Sequence, residues 1–103
     1  MLGAWQDPDY AAFATKAKLV AKQEGYAIAI HGSTMADLDV IAIPWTEKPC
    51  KPKALVDRVC FHTDLKAQSQ EPTKRLHGRL VWSLLFPGFG DPRFVDFSVL
   101  PSA

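Results

Sequence analysis

Two periods of apolar and polar positions run along this chain, and each predicts a different element. Between Pro8 and Gly25, apolar side chains recur at helical spacing, and lysine and glutamine fill many of the intervening positions. The apolar set is Tyr10, Phe13, Ala17, Val20 and Ala21. Proline favours the first position of a helix, and glycine favours its end. The pattern therefore predicts one amphipathic helix with a single buried face.

Shorter apolar runs predict four strands and a second helix. The strands cover residues 26–30, 37–43, 79–86 and 94–100, and the helix covers residues 52–62. Residues 64–78 are mostly polar and predict a loop. The resulting order is α-β-β-α-β-β. It predicts an α+β fold in which a four-stranded mixed sheet is backed by two helices on one face.

The composition is that of one globular domain spanning residues 1–103. Hydrophobic residues make up 48% and charged residues 22%, which excludes a disordered chain. A net charge of +1 gives no strong signal for nucleic acid as a partner. Cys50 and Cys60 lack the spacing of a metal site. Since the chain shows no signal-peptide pattern and no apolar run of about 20 residues, we expect a cytoplasmic protein without a membrane span.

The second strand opens with two carboxylates, Asp37 and Asp39. Residues i and i+2 of a strand point to the same face, with Cα atoms about 6.6–7 Å apart. Two like charges so placed favour a divalent cation between them. Gly32, just upstream, would let a phosphate approach the backbone closely. The alternative for the pair is a solvated turn at the entrance of a strand.

A third carboxylate, Asp96, lies in the middle of an apolar strand, where aspartate is rare and needs a partner. It either joins the acidic pair or forms a salt bridge with Arg79 or Arg93. His31, next to Gly32, either contacts a phosphate or base or makes a structural hydrogen bond to the turn. The Gly- and Pro-rich residues 87–93 form either a rigid connection or a lid or partner surface.

Together these residues resemble the signature of nucleotidyltransferases of the polymerase-β type. That signature is an apolar residue followed by Gly and then Gly or Ser, and after a spacer two acids flanking an apolar residue. Its positions here are Gly32, Ser33, Asp37 and Asp39, with Asp96 as the third acid. The chain is also similar to small phage-encoded nucleotidyltransferase-like proteins, which read His-Gly-Ser before the acids and Phe-Pro-Gly-Phe-Gly-Asp-Pro-Arg-Phe near the end. The spacer of three residues after Ser33 is shorter than in most active members.

The resemblance implies a minimal nucleotidyltransferase-like domain with a defined site. Asp37, Asp39 and Asp96 would be the catalytic residues and would bind two Mg²⁺ ions, and Asp96 could also take the proton of an acceptor hydroxyl. Gly32 and Ser33 would hold the β- and γ-phosphates of a nucleoside triphosphate, with His31 beside them. The acceptor is unknown. The alternative is an inactive phage protein of this fold that binds a host protein in the host cytoplasm or senses a nucleotide.

Overall fold

Two α-helices, one short 3-10 helix and six strands form the regular secondary structure of the described residues. This computed structural model describes residues 8–32, 37–88 and 90–101, and for His31, Gly32 and Asp37 it describes the backbone only. The helices are α1 (Pro8–Gln23) and α2 (Pro52–Thr63). The strands are β1 (Tyr26–Gly32), β2 (Asp37–Pro44), β3 (Lys66–Ala67), β4 (Thr73–Lys74), β5 (Leu80–Leu85) and β6 (Phe94–Val99).

The six strands form one mixed sheet in the order β1-β2-β6-β5-β3, and β4 pairs with another part of β5. Strands β2 and β6 run parallel, and all other neighbours are antiparallel. The α+β fold with a mixed sheet and two helices is thus confirmed. The expected count of four strands was wrong, because β3 and β4 lie in the segment predicted to be a loop. Each has only two residues, too few to show an alternating pattern.

One face of the sheet, here called the near face, packs against both helices. Strand alternation places the buried side chains of Leu38, Val40, Trp82, Val95 and Phe97 on this face. They share one core with buried side chains of both helices, among them Phe13 and Ala17 of α1 and Leu55 and Val59 of α2. Burial of this apolar surface is the main source of stability, since each large side chain contributes about 1.5–3 kcal/mol.

The turn between α1 and β1 is fixed to the loop that precedes α2. Gly25 has a φ of 91°, a conformation that side chains other than glycine rarely adopt. Its carbonyl accepts a hydrogen bond from the Trp45 N–H at 3.1 Å. The Tyr26 hydroxyl donates to the Cys50 carbonyl at 2.6 Å, and the Cys50 N–H donates to the Glu24 carbonyl at 3.0 Å. These bonds hold the start of β1 and the end of β2 at the same edge.

Both cysteines are free thiols at half-buried positions. Burial raises the pKa of each thiol, and the nearby Glu24 carboxylate raises that of Cys50 further. The two groups are therefore weaker nucleophiles than an exposed cysteine at neutral pH. Within residues 8–32, 37–88 and 90–101, neither helix is long and apolar enough to cross a lipid bilayer.

Candidate active site on the far face of the sheet

The face of the sheet opposite the helices, here called the far face, carries a row of polar positions across four strands. The register pairs His31 with Asp39, Asp39 with Asp96, and Asp96 with Ser83. Neighbouring strands are about 4.8 Å apart, and register partners share a face. Asp39 and Asp96 therefore lie side by side on adjacent parallel strands. Both side chains are half-buried.

The Asp96 carboxylate is oriented by a neighbour in the same row. The Ser83 hydroxyl donates a hydrogen bond to Oδ1 of Asp96 at 3.3 Å. Arg93, one of the two predicted salt-bridge partners of Asp96, forms ion pairs with Asp9 at 2.7 Å and with Asp91 at 2.8 Å. Asp39 forms no ion pair with any side chain that the structure describes.

A cleft of about 330 Å³ includes both carboxylates. It is lined by Asp39, Val40, Ile41, Arg75, Arg79, Val81, Asp96 and Ser98. Ser98 is 5% exposed, the two carboxylates and Arg79 are half-buried, and Arg75 is exposed. The cleft thus contains two groups of opposite charge, a carboxylate pair and a guanidinium pair.

Both arginines come from a hairpin that the sequence did not predict. Strands β4 and β5 pair at Thr73 with Val81 and at Lys74 with Leu80. A short 3-10 helix at Leu76–Gly78 separates Arg75 from Arg79. A sequence signal for this hairpin exists in the His-Gly dipeptide, since glycine favours tight turns, but no apolar alternation flanks it.

The row of His31, Asp39, Asp96 and Ser83 is here called the acidic row, and the backbones of Asp37 and Gly32 lie next to it. Asp37 pairs in register with Phe94 at the start of β2, and Gly32 pairs with Leu38 at the end of β1. His31 is one residue before Gly32 on the same strand. Ser33 lies outside the described residues, as does the whole spacer before Asp37. The backbone thus places the Gly32 end of β1 beside the start of β2, next to the row of Asp39 and Asp96.

The donor chemistry of this row suits a hard divalent cation. Carboxylate oxygens are the ligands that Mg²⁺ binds in proteins, usually one or two of them together with water and phosphate oxygens. Asp39 and Asp96 supply two such groups at adjacent positions. In the part of the chain that the structure describes, no group of three or more His, Cys, Asp or Glu side chains is positioned to hold a metal ion. The described part of the row thus supplies two carboxylates, Asp39 and Asp96, at adjacent register positions.

The two ends of the segment that connects β5 to β6 are fastened to α1. The Arg93 guanidinium lies 4.7 Å from the centre of the Phe86 ring, and that ring contacts Tyr10 edge to face at 5.2 Å. The Tyr10 hydroxyl also donates to the Phe94 carbonyl at 3.3 Å. These contacts favour a rigid connection over a lid.

Comparisons with protein-family models, curated proteins and solved structures found no match to this chain.

Proposed function

We propose that this protein is a magnesium-dependent nucleotidyltransferase in which Asp37, Asp39 and Asp96 hold the metal. The observation that carries the proposal is the register pairing of Asp39 with Asp96 in a polar cleft. Like charges directly opposite each other in a sheet are destabilising, so a cation that bridges them offsets a cost built into the fold. Gly32, which ends the neighbouring strand β1 and is followed in the sequence by Ser33, supports a phosphate at the same site.

In the proposed reaction, an acceptor hydroxyl attacks the α-phosphorus of a nucleoside triphosphate. A bond forms between the acceptor oxygen and the α-phosphorus, and the bond from that phosphorus to the oxygen bridging the β-phosphorus breaks. Pyrophosphate leaves with the bonding electrons, and the hydroxyl proton passes to the Asp96 carboxylate. The hydrogen bond from Ser83 holds this carboxylate in one orientation. Gly32 and Ser33 bind the β- and γ-phosphates, with His31 beside them.

When bound, Mg²⁺ supplies neutralisation of the phosphate charge and polarisation of the α-phosphate. The contribution of the chain is positioning. Because Asp39 and Asp96 are fixed on two central strands, little reorganisation is needed when substrate binds. A site built on strands is more rigid than one built on loops.

The competing function is an inactive protein of this fold that binds a host protein or senses a nucleotide. Such a binding module has no use for clustered negative charge, and its acids would be paired with Arg or Lys. Asp39 has no such partner among the described side chains, although Arg75 and Arg79 line the same cleft. This arrangement favours a site that binds a cation over a site that has lost this function.

A thermal-shift matrix tests the proposal. Each nucleoside triphosphate is combined with Mg²⁺, Mn²⁺ or EDTA, on the wild type and on Asp39→Asn and Asp96→Asn. Asp57→Asn is the matched control, because Asp57 lies on α2 and pairs only with Lys53 among the described residues. Ligand at one hundred times Kd stabilises the native state by about 2.7 kcal/mol. For a domain of this size that raises Tm on the order of 10 °C.

We expect a metal-dependent rise in Tm with at least one nucleoside triphosphate. The rise should be lost in Asp39→Asn and Asp96→Asn and retained in Asp57→Asn. A rise that persists in EDTA or in Asp39→Asn would overturn the metal site. No rise with any nucleotide would overturn the transferase and leave the host-protein alternative.

A further inference from the structure

The two arginines of the cleft form the closing pair of the β4–β5 hairpin. The ladder pairs Thr73 with Val81 and Lys74 with Leu80, and the Arg75 N–H donates to the Arg79 carbonyl at 2.8 Å. Arg75 and Arg79 thus continue the ladder by one more pair. The turn between them contains two left-handed residues, His77 at φ 63° and Gly78 at φ 77°. Such a turn fixes both arginines at one end of the hairpin.

Strand alternation explains why both guanidinium groups enter the same cleft. Arg79 lies two residues from Val81, which lines the cleft, and Arg75 lies two residues from Thr73, the register partner of Val81. Lys74 and Leu80 have the opposite phase, and Leu80 packs against the core on the near face. The hairpin therefore directs two arginines to the far face and one lysine away from it.

Within the described part of the chain, no ion pair engages these two positive charges, although the carboxylates of Asp39 and Asp96 line the same cleft. Neither Arg75 nor Arg79 forms an ion pair or side-chain hydrogen bond with a described residue. Arginine stays protonated at any physiological pH, so the pair cannot lose its charge by titration. Two guanidinium groups directed into one cleft repel each other, and an anion that contacts both would relieve the repulsion. Phosphate matches their fork of donors best, because it accepts two parallel hydrogen bonds from each.

The position of this pair relative to the acidic row identifies which phosphate it fits. Ser83, in the acidic row, lies four residues from Arg79 along β5, about 13 Å at the usual rise of a strand. Gly32 lies one position beyond the acidic row in the opposite direction along the strands, on the edge strand β1 rather than toward β5. Along the strand direction, the order is therefore Gly32, then Asp39 with Asp96, then Arg79 with Arg75.

This order corresponds to the requirements of an in-line displacement. The attacking and leaving oxygens must lie on opposite sides of the α-phosphorus. With pyrophosphate leaving toward Gly32, the acceptor hydroxyl must approach from the side of Arg75 and Arg79. From this geometry we infer that Arg75 and Arg79 bind a phosphate group of the acceptor, so that the acceptor class is a hydroxyl compound that carries a phosphate. The inference rests on the proposed function and deepens it.

The test separates acceptor binding from nucleotide binding. Inorganic phosphate is titrated in EDTA into protein with ¹⁵N-labelled arginine, and the Nε–H signals are followed by NMR. We expect the signals of Arg75 and Arg79 to shift and that of Arg58, on α2, to stay constant. Arg75→Gln and Arg79→Gln should each weaken phosphate binding about tenfold, since each removes a charged hydrogen-bond donor. Lys74→Gln is the control, with the same loss of charge one residue away but on the other side of the hairpin.

A second titration shows whether the pair serves the acceptor or the nucleotide. The inference requires Arg75→Gln and Arg79→Gln to retain the Mg²⁺-dependent Tm rise with nucleoside triphosphate. A loss of that rise would assign the pair to the triphosphate and overturn the inference while leaving the transferase intact. The inference would also be overturned if Arg75→Gln and Arg79→Gln bound phosphate with the same affinity as the control Lys74→Gln. If phosphate binds through both arginines but no nucleotide binds, the transferase fails and only an anion site remains.

The source of the phosphate is resolved by competition. Ribose 5-phosphate and a 5′-phosphorylated dinucleotide are each titrated against the shift of Arg79, with ribose and the unphosphorylated dinucleotide as controls. The inference requires at least one phosphorylated compound to compete about tenfold better than its unphosphorylated form. The inference would be overturned if, in both pairs, the phosphorylated compound competed no better than its unphosphorylated control. The better competitor identifies a small sugar phosphate or a polynucleotide end as the acceptor.

Discussion

Asp39 on β2 and Asp96 on β6 are direct register partners on parallel strands. The sheet thus holds two carboxylates side by side at half-buried positions, at the border of a core that both strands help to form. Like charges directly opposite each other on neighbouring strands are destabilising. The pairing therefore links the stability of the fold to the chemistry of the site.

The first consequence is that loss of one carboxylate should stabilise the metal-free protein. Like charges directly opposite each other cost about 0.2–1 kcal/mol. In EDTA, we expect Asp39→Asn to raise Tm by about 1–6 °C in a calorimetric scan. Asp57→Asn, which breaks an exposed i,i+4 pair with Lys53, should leave Tm unchanged or slightly lower. A clear fall in Tm for Asp39→Asn would show that its carboxylate is structural.

Acid sensitivity should arise at Asp91, in the segment that precedes β6. Hydrogen bonds from the Arg93 side chain and backbone N–H lower the pKa of Asp91 to about 2, from an ordinary 3.8. Because the folded pKa is the lower one, the stabilising contribution is present above about pH 4 and is lost as pH falls toward 2. Asp91→Asn should therefore lose less stability than the wild type between pH 4 and 2 in urea titrations. Equal losses in the two proteins would contradict the assignment.

The glycine between α1 and β1 should be far less replaceable than a loop glycine of similar backbone conformation. A Cβ at Gly25 would lie 2.6 Å from Thr46 Oγ1 and 2.9 Å from Pro49 Cα, whereas a Cβ at Gly90 meets no described atom within 4 Å. Both have positive φ, 91° and 77°. We expect Gly90→Ala to cost about 1 kcal/mol from backbone strain alone. Gly25→Ala should cost about 2–3 kcal/mol or more, since overpacking adds to the strain. Urea unfolding of both variants measures the difference.

The near face should contain the residues that hold the fold together. Phe97 is fully buried between its register partners Val40 and Trp82, whereas Phe61 on α2 is 80% exposed. Phe97→Ala should lower the free energy of unfolding by about 3–5 kcal/mol. Phe61→Ala should change it by no more than about 0.5 kcal/mol. Similar effects of the two substitutions in urea unfolding would contradict the placement of the core.

The elements with a clear period were predictable from the sequence. The apolar stripe from Tyr10 to Ala21 predicted α1, and alternation predicted four long strands, because one face of each contacts the helices. Pro44 ends β2 as expected. The pairing of Asp39 with Asp96 was not derivable from alternation alone. Alternation assigns a residue to a face, but the choice of neighbouring strand depends on packing of the whole sheet.

The placement of Arg75 and Arg79 in the cleft could not be predicted from the sequence for a different reason. Strands β3 and β4 contain two residues each, and those of β4, Thr73 and Lys74, are exposed and polar. They form because β5 offers free backbone groups at its outer edge, a tertiary effect that no local pattern records. Arg75 therefore lies in a predicted loop and Arg79 at the start of a predicted strand, and the sequence does not indicate that a hairpin directs both side chains into the same cleft.

Paramagnetic broadening by Mn²⁺ is the most direct test of the central claim, that Asp39 and Asp96 jointly hold a divalent cation. A chain of 103 residues is suited to ¹⁵N-resolved NMR of every backbone amide. Substoichiometric Mn²⁺ should broaden the amides of β2 and β6 around residues 39 and 96 and spare those of α2 around Asp57. Excess Mg²⁺ should restore the signals, and Asp39→Asn should prevent the effect. Broadening that leaves residues 39 and 96 unaffected, or that is the same in Asp39→Asn, would contradict the claim.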